Sequence, residues 1–118
     1  MNTAELISLT EKEVKQFGGW KLAVASDYTE ESDFPAFTEV VNGLFCKDNE
    51  ITLTTGGDGL AVQAEEFLEV LKMIQGRYGE AILKIKYPSD VQEIKSTSPG
   101  MGSIREVRFF INEIQLVI

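Results

Sequence analysis

The chain has 118 residues, of which 43% are hydrophobic and 25% charged, the balance of a globular protein rather than a disordered one. Nineteen carboxylates against eleven cations leave a net charge of −8. That charge disfavours generic binding to phosphate backbones or anionic lipid and favours a basic partner. There is no histidine, which excludes Ser-His-Asp and Cys-His catalysis and imidazole metal sites.

No apolar run approaches the ~20 residues of a membrane-spanning helix. Met1-Asn2-Thr3-Ala4-Glu5 lacks the basic start of a secretory signal. The single Cys46 cannot form an internal disulfide and fits a reducing compartment. The expectation is one cytoplasmic domain over residues 1–118.

In chain order, the first element is a helix over about 4–17, stopped by Gly18-Gly19. Thr10-Glu11-Lys12-Glu13 also has the capping-box form, in which a second helix start would lie at Thr10. Trp20 to Tyr28 reads as a strand, with Trp20, Leu22, Val24 and Ser26 alternating against Lys21, Ala23, Ala25 and Asp27. Thr29 to Asp33 is a polar, acidic loop. Phe34 to Phe45 fits either a helical face capped by Asp33 or two strands about an Asn42-Gly43 hairpin. The favoured reading is a short helix or irregular turn followed by a strand near 43–47.

Lys47 to Glu50 is a turn, and Ile51 to Thr55 a strand rich in β-branched residues. Gly56-Gly57-Asp58-Gly59 breaks it, and a helix follows from Leu60 to Tyr78, with Val62, Phe67, Val70, Leu71 and Ile74 as its apolar stripe. Ala81 to Tyr87 is a strand, with a further one at 91–96. Ser96 to Ser103 is a Gly- and Pro-containing loop, and Arg105 to Ile111 another strand. Beyond it Ile114, Leu116 and Ile118 fall in phase with Phe110 rather than Phe109, so a bulge or tight turn is expected near Asn112-Glu113. The mostly apolar C-terminus should be buried in the sheet. The fold class is α+β: a mostly antiparallel twisted sheet of about five to six strands packed against one long helix (about 60–78) and a shorter N-terminal helix.

Few residues offer chemistry. Cys46 lies in an apolar stretch without a base and reads as a buried structural thiol. Glu65, Glu66 and Glu69 lie close on one helix, but helical carboxylate metal sites commonly use a Glu-x-x-His element, so a solvated face explains them better. Strand 51–55, Gly57-Asp58-Gly59 and the following helix have the order of a pyrophosphate cradle, and with strand 81–87 they form a βαβ unit. Val62 occupies the third small-residue position, the lysine and hydroxyl of a P-loop are missing, and Asp58 would repel phosphate. A helix capped by Asp58 accounts for the same residues. Asp48, Glu50 and Asp58 lack the spacing of a calcium loop. No enzyme activity, cofactor or metal is expected.

The stretch Gly59 to Phe67, after its strands and Gly-rich turn, resembles the closing part of coactivator-like single-strand-binding domains, over barely a fifth of the chain and without a specific motif. Such domains need a basic, aromatic sheet face. Lys84, Lys86, Arg105 and Arg108 would supply a small basic stripe if their strands were neighbours; otherwise they serve as partners for carboxylates across strands.

What remains is surface. Asp27, Glu30, Glu31 and Asp33 form an acidic run with Tyr28 inside it and Phe34 after it. Carboxylates around aromatics suit an interface with a basic protein. The expectation is an acidic binding domain that occludes a basic partner, such as a nuclease-type toxin or another nucleic-acid-processing enzyme. Bacterial immunity proteins and phage-encoded inhibitors are the analogous classes, by size and charge alone. A homodimeric assembly module comes second and a single-strand nucleic-acid binder third.

Overall fold

A computed structural model describes residues 2–26, 37–56, 59–86, 94–95 and 104–118. The elements run α1 (Thr3–Phe17), β1 (Lys21–Ser26), β2 (Phe37–Lys47), β3 (Glu50–Thr55), α2 (Ala64–Tyr78), β4 (Ile82–Lys86), β5 (Ile94–Lys95), β6 (Glu106–Phe110) and β7 (Glu113–Val117). The fold is α+β, as the sequence indicates. The two helices are equally long, at 15 residues each, so the N-terminal one is not the shorter.

Helix α1 is continuous. Asn2 caps it, its side-chain oxygen accepting the Glu5 N–H at 2.8 Å. Glu80 reinforces that end, its Oε2 accepting the Thr3 hydroxyl at 2.7 Å and the Thr3 N–H at 3.1 Å. Gly18 ends the helix at φ +89°, in the left-handed region that glycine tolerates. The helix expected over about 4–17 forms and the alternative start at Thr10 is not used: Thr10 faces the core in mid-helix, its buried hydroxyl without a partner among the described residues. The local capping option loses because one uninterrupted helix buries Thr3, Leu6 and Thr10 on a single face.

Helix α2 starts at Ala64, later than the sequence periodicity implies. Residues 60–63 arrive extended, and Gln63 occupies the cap position without a side-chain hydrogen bond. The expected cap, Asp58, lies outside the described residues. Val62 has its own task. Its N–H donates to Val41 O and its carbonyl accepts from Leu22 N–H, both at 2.8 Å. It thereby bridges the fork at which β1 and β2 separate, satisfying a backbone group of each strand.

The sheet order is β5-β4-β3-β2-β1-β7-β6. It is mixed, with four antiparallel pairings and two parallel: β1–β2, β2–β3, β4–β5 and β6–β7 are antiparallel, as expected for most of the sheet, while β1 pairs with β7 and β3 with β4 in parallel. The β3–α2–β4 crossover is the βαβ unit that the chain order offers. Strand β2 serves two neighbours in succession. Up to Val40 it pairs with β1, and from Val41 onward with β3, with an irregularity between Val41 and Gly43. Asn42-Gly43 is therefore a bulge in a long strand, not a hairpin turn and not preceded by a helix from residue 37 on. The remainder of the ambiguous stretch, 34–36, lies outside the described residues.

At the C-terminus Ile111 and Asn112 take φ of +39° and +63° and join β6 to β7 in a two-residue hairpin, Phe110 opposite Glu113. That turn resolves the parity change, since it returns Ile114 and Leu116 to the face of Phe109 and Val107. One contiguous core results: Leu22, Val24, Ile51, Leu53, Leu83, Ile85, Ile114 and Leu116 from the sheet meet Leu6, Phe67, Leu71 and Ile74 from the helices. Strand β7 is buried along its whole length, as expected of a strand between two neighbours with both faces covered.

Candidate protein-interaction surface

Asp27, Tyr28, Glu30, Glu31, Asp33 and Phe34, the residues singled out for partner binding, all fall within 27–36 and lie outside the described residues. Their anchorage is described. Ser26 pairs with Phe37 and Ala25 with Thr38, so the segment spans the adjacent ends of β1 and β2. The same edge of the sheet receives more. It is the edge where β1, β3, β4 and β7 end and where β2, β5 and β6 begin. Segments 57–58, 87–93 and 96–103 each leave or join a strand there.

Charge is distributed unequally between these segments and the framework. Residues 27–36, 57–58, 87–93 and 96–103 hold seven carboxylates and no lysine or arginine. The rest of the chain holds twelve carboxylates against eleven cations and is nearly neutral. These segments carry seven of the nineteen carboxylates, and Lys86 and Arg105 flank them where β4 ends and β6 begins.

Several framework cations are paired within the protein. Lys84 Nζ lies 2.8 Å from Glu50 of the adjacent β3, and Lys72 Nζ 2.5 Å from Glu11 across the helix pair. Arg105 donates to the Ile118 carbonyl at 2.9 Å, and Arg108 lies 3.8 Å from Glu106. The conditional basic stripe does not form, because β4, which carries Lys84 and Lys86, is separated from β6 by β3, β2, β1 and β7.

Two carboxyls are held below the usual range. Glu11 is stabilised in its charged form first by the Lys72 hydrogen bond and then by Lys15. Glu80 is stabilised by the two Thr3 hydrogen bonds, side chain before backbone. Both are scaffolding for the helices. Glu65, Glu66 and Glu69 are exposed. The Ala64 N–H at the start of α2 donates to the Trp20 carbonyl at 2.9 Å, so that donor is committed within the protein rather than open to a phosphate. Cys46 is exposed rather than buried. It pairs with Ile51 one position short of the residue that enters the β2–β3 turn, where the strand leaves the core. Among the described residues no group of three or more Cys, Asp or Glu could hold a metal ion, and no helix is long and apolar enough to cross a membrane.

Two clusters escape a reading by sequence. On the sheet face away from the core cluster, Glu113 accepts hydrogen bonds from Gln115 Nε2 at 2.7 Å and Thr38 Oγ1 at 2.9 Å. Gln115 is 0% exposed and Glu113 8% while Thr38 is exposed, so this polar set runs from the interior to the surface and ties β7 to β2 across β1. At the opposite edge from the acidic segments, Phe17 stacks on Phe109 at 4.2 Å and Trp20 leans on the same ring at 5.8 Å. The only advance signal was the Phe17-Gly-Gly-Trp20 spacing, which reads equally as a helix stop.

No known protein family, curated protein or solved structure matches this chain.

Proposed function

We propose that the protein is a non-enzymatic binding domain that docks the acidic edge of its sheet onto a basic protein and occludes it. One observation carries this reading: seven carboxylates and no cation lie on segments joined to a single sheet edge, while the framework is close to neutral. Acidity serving solubility alone needs no such placement, since charge spread over the framework would do as well. A focused negative field steers a cationic partner and speeds its capture. Asp27, Glu30, Glu31 and Asp33 supply the largest share of that field, and Tyr28 and Phe34 supply apolar anchorage within it. A cationic cleft built for phosphate backbones, as in a nuclease-type toxin, is a target of fitting chemistry, and cytoplasmic neutralisation is the fitting role.

The test is an affinity pull-down from host lysate at low and high salt, read by mass spectrometry, followed by kinetics on the purified partner. The double reversal Glu30→Lys/Glu31→Lys should slow association roughly tenfold at low salt and flatten its salt dependence. Glu66→Lys/Glu69→Lys makes the same net change on the framework and should leave association nearly unaltered. Equal effects from both pairs would show that only total charge matters and would remove the acidic edge as the site. Recovery of self-associated chains alone, insensitive to salt, would favour the homodimeric module.

A further inference from the structure

We propose that Trp20, Phe17 and Phe109, with the carboxylate of Glu65, form a seat for one arginine side chain presented by a protein partner. The seat lies where β1 and β7 begin, at the other end of the sheet from the acidic segments, so it is a second surface and does not depend on the first.

The aromatic part is rigid and open. Phe17 closes α1, Trp20 leads into β1 and Phe109 belongs to β6, and the Phe17 and Phe109 rings are parallel to within 9°. Phe17 and Trp20 nevertheless remain 38% and 37% exposed. The Trp20 indole N–H is already given to the Phe17 carbonyl at 2.5 Å. What the indole offers a ligand is therefore its π face, which attracts cations.

A carboxylate lies over Gly19, the residue before Trp20. The Ala64 N–H donates to the Trp20 carbonyl, which sets the first turn of α2 against this corner. The Glu65 side chain then reaches over Gly19: a Cβ added at Gly19 would stand 2.6 Å from Glu65 Oε1. Glu65 is exposed and has no hydrogen bond or ion pair among the described residues. An aromatic shelf with a carboxylate held at the preceding residue, unpaired among the described residues, matches a guanidinium, which stacks on a ring and offers paired N–H donors to carboxylate oxygens at once. A second copy of this chain fits poorly, because a two-fold contact through the shelf would bring two Glu65 carboxylates together.

Trp20 is the only tryptophan, so its emission reports the seat directly. The probes are a capped Gly-Arg-Gly peptide and the same peptide with uncharged, isosteric citrulline. The arginine peptide should give a saturable change in emission, with citrulline about fivefold weaker or worse. Glu65→Gln should weaken the arginine response by a similar factor and erase the preference. Gly19→Ala should do the same by displacing the carboxylate, the flexible end of a long side chain, with little change in melting temperature. Glu30→Lys/Glu31→Lys should leave the titration unchanged, which separates failure of this seat from failure of the acidic edge. A non-saturating response, an equal one with citrulline, or arginine binding that survives Glu65→Gln would overturn the proposal. So would an emission shift on dilution without peptide, which would mean that a second copy covers the rings.

Discussion

Gly43→Ala tests the bulge at which β2 changes partner from β1 to β3. Gly43 sits just after the bulge in β2, opposite Thr54. A Cβ there would lie 2.1 Å from Thr54 Oγ1 and 3.2 Å from Phe45 Cε2. Thr54 is short and β-branched, so it cannot swing aside as a lysine would, and one of its branched atoms meets the new methyl in most rotamers. Overpacking of this kind costs about 1–3 kcal/mol. For 118 residues, 1 kcal/mol shifts the melting temperature by about 4 °C, so a drop of about 4–12 °C is expected. Thr54→Ala removes the offending oxygen and leaves the Thr54 Cβ at 3.5 Å, an ordinary contact. The double variant should therefore recover about 1–2 kcal/mol relative to the sum of the single changes, as a double-mutant cycle measures. Urea and thermal unfolding followed by circular dichroism on the four proteins gives the cycle. An unchanged midpoint for Gly43→Ala, or strict additivity with Thr54→Ala, would refute the close approach of β2 and β3 and with it the partner switch in β2.

Leu116→Ala, in the wholly buried β7, should cost about 2–5 kcal/mol, whereas Ile111→Gly should raise the melting temperature slightly, since Ile111 is 69% exposed and holds φ at +39°. Deleting 114–118 should unfold the protein, because the buried Ile114, Leu116 and Val117 are each worth about 1.5–3 kcal/mol against a total stability of about 5–15 kcal/mol. A truncated chain with native circular dichroism would contradict that. Glu80 contributes a pH-dependent term. Its folded pKa is lowered by Thr3, so its stabilisation is present above the unfolded glutamate value of about 4.3 and is lost as pH falls below it through the folded value. Glu80→Gln should lower the melting temperature at neutral pH and make it less sensitive to acid in that window. Parallel acid profiles for the two proteins would assign the loss to other carboxyls.

The helices and most strands were legible because they rest on short-range periodicity. Leu6 and Thr10 recur on one face of α1, Phe67, Leu71 and Ile74 on one face of α2, and Ile51, Leu53, Leu83 and Ile85 alternate in β3 and β4. Where two local readings were equally good, distant contacts chose between them. Phe34 to Phe45 suits a helical face or a hairpin at Asn42-Gly43, and the simultaneous demands of β1 and β3 made 37–47 a single strand with a bulge there instead. Thr10-Glu13 suits a helix start, and Asn2 with Glu80 placed the start elsewhere. Cys46 lies beside Phe45, yet both are exposed near the end of β2.

The candidate surfaces divide in the same way. The excess of carboxylates and the absence of histidine are properties of composition, and they alone direct attention to a basic partner and away from imidazole chemistry. That three acidic segments attach to one edge follows from the strand order, and the seat at Trp20 from the approach of Phe109 and Glu65, residues remote from it in sequence. The chain by itself determined the type of most regular elements and the sign of its field, since both depend on neighbours a few residues apart or on simple sums of charge. Only the tertiary structure decided which strands lie parallel, which strand ends share an edge and which aromatics meet, because those depend on competition among long-range contacts, each offset by the entropy of closing its loop.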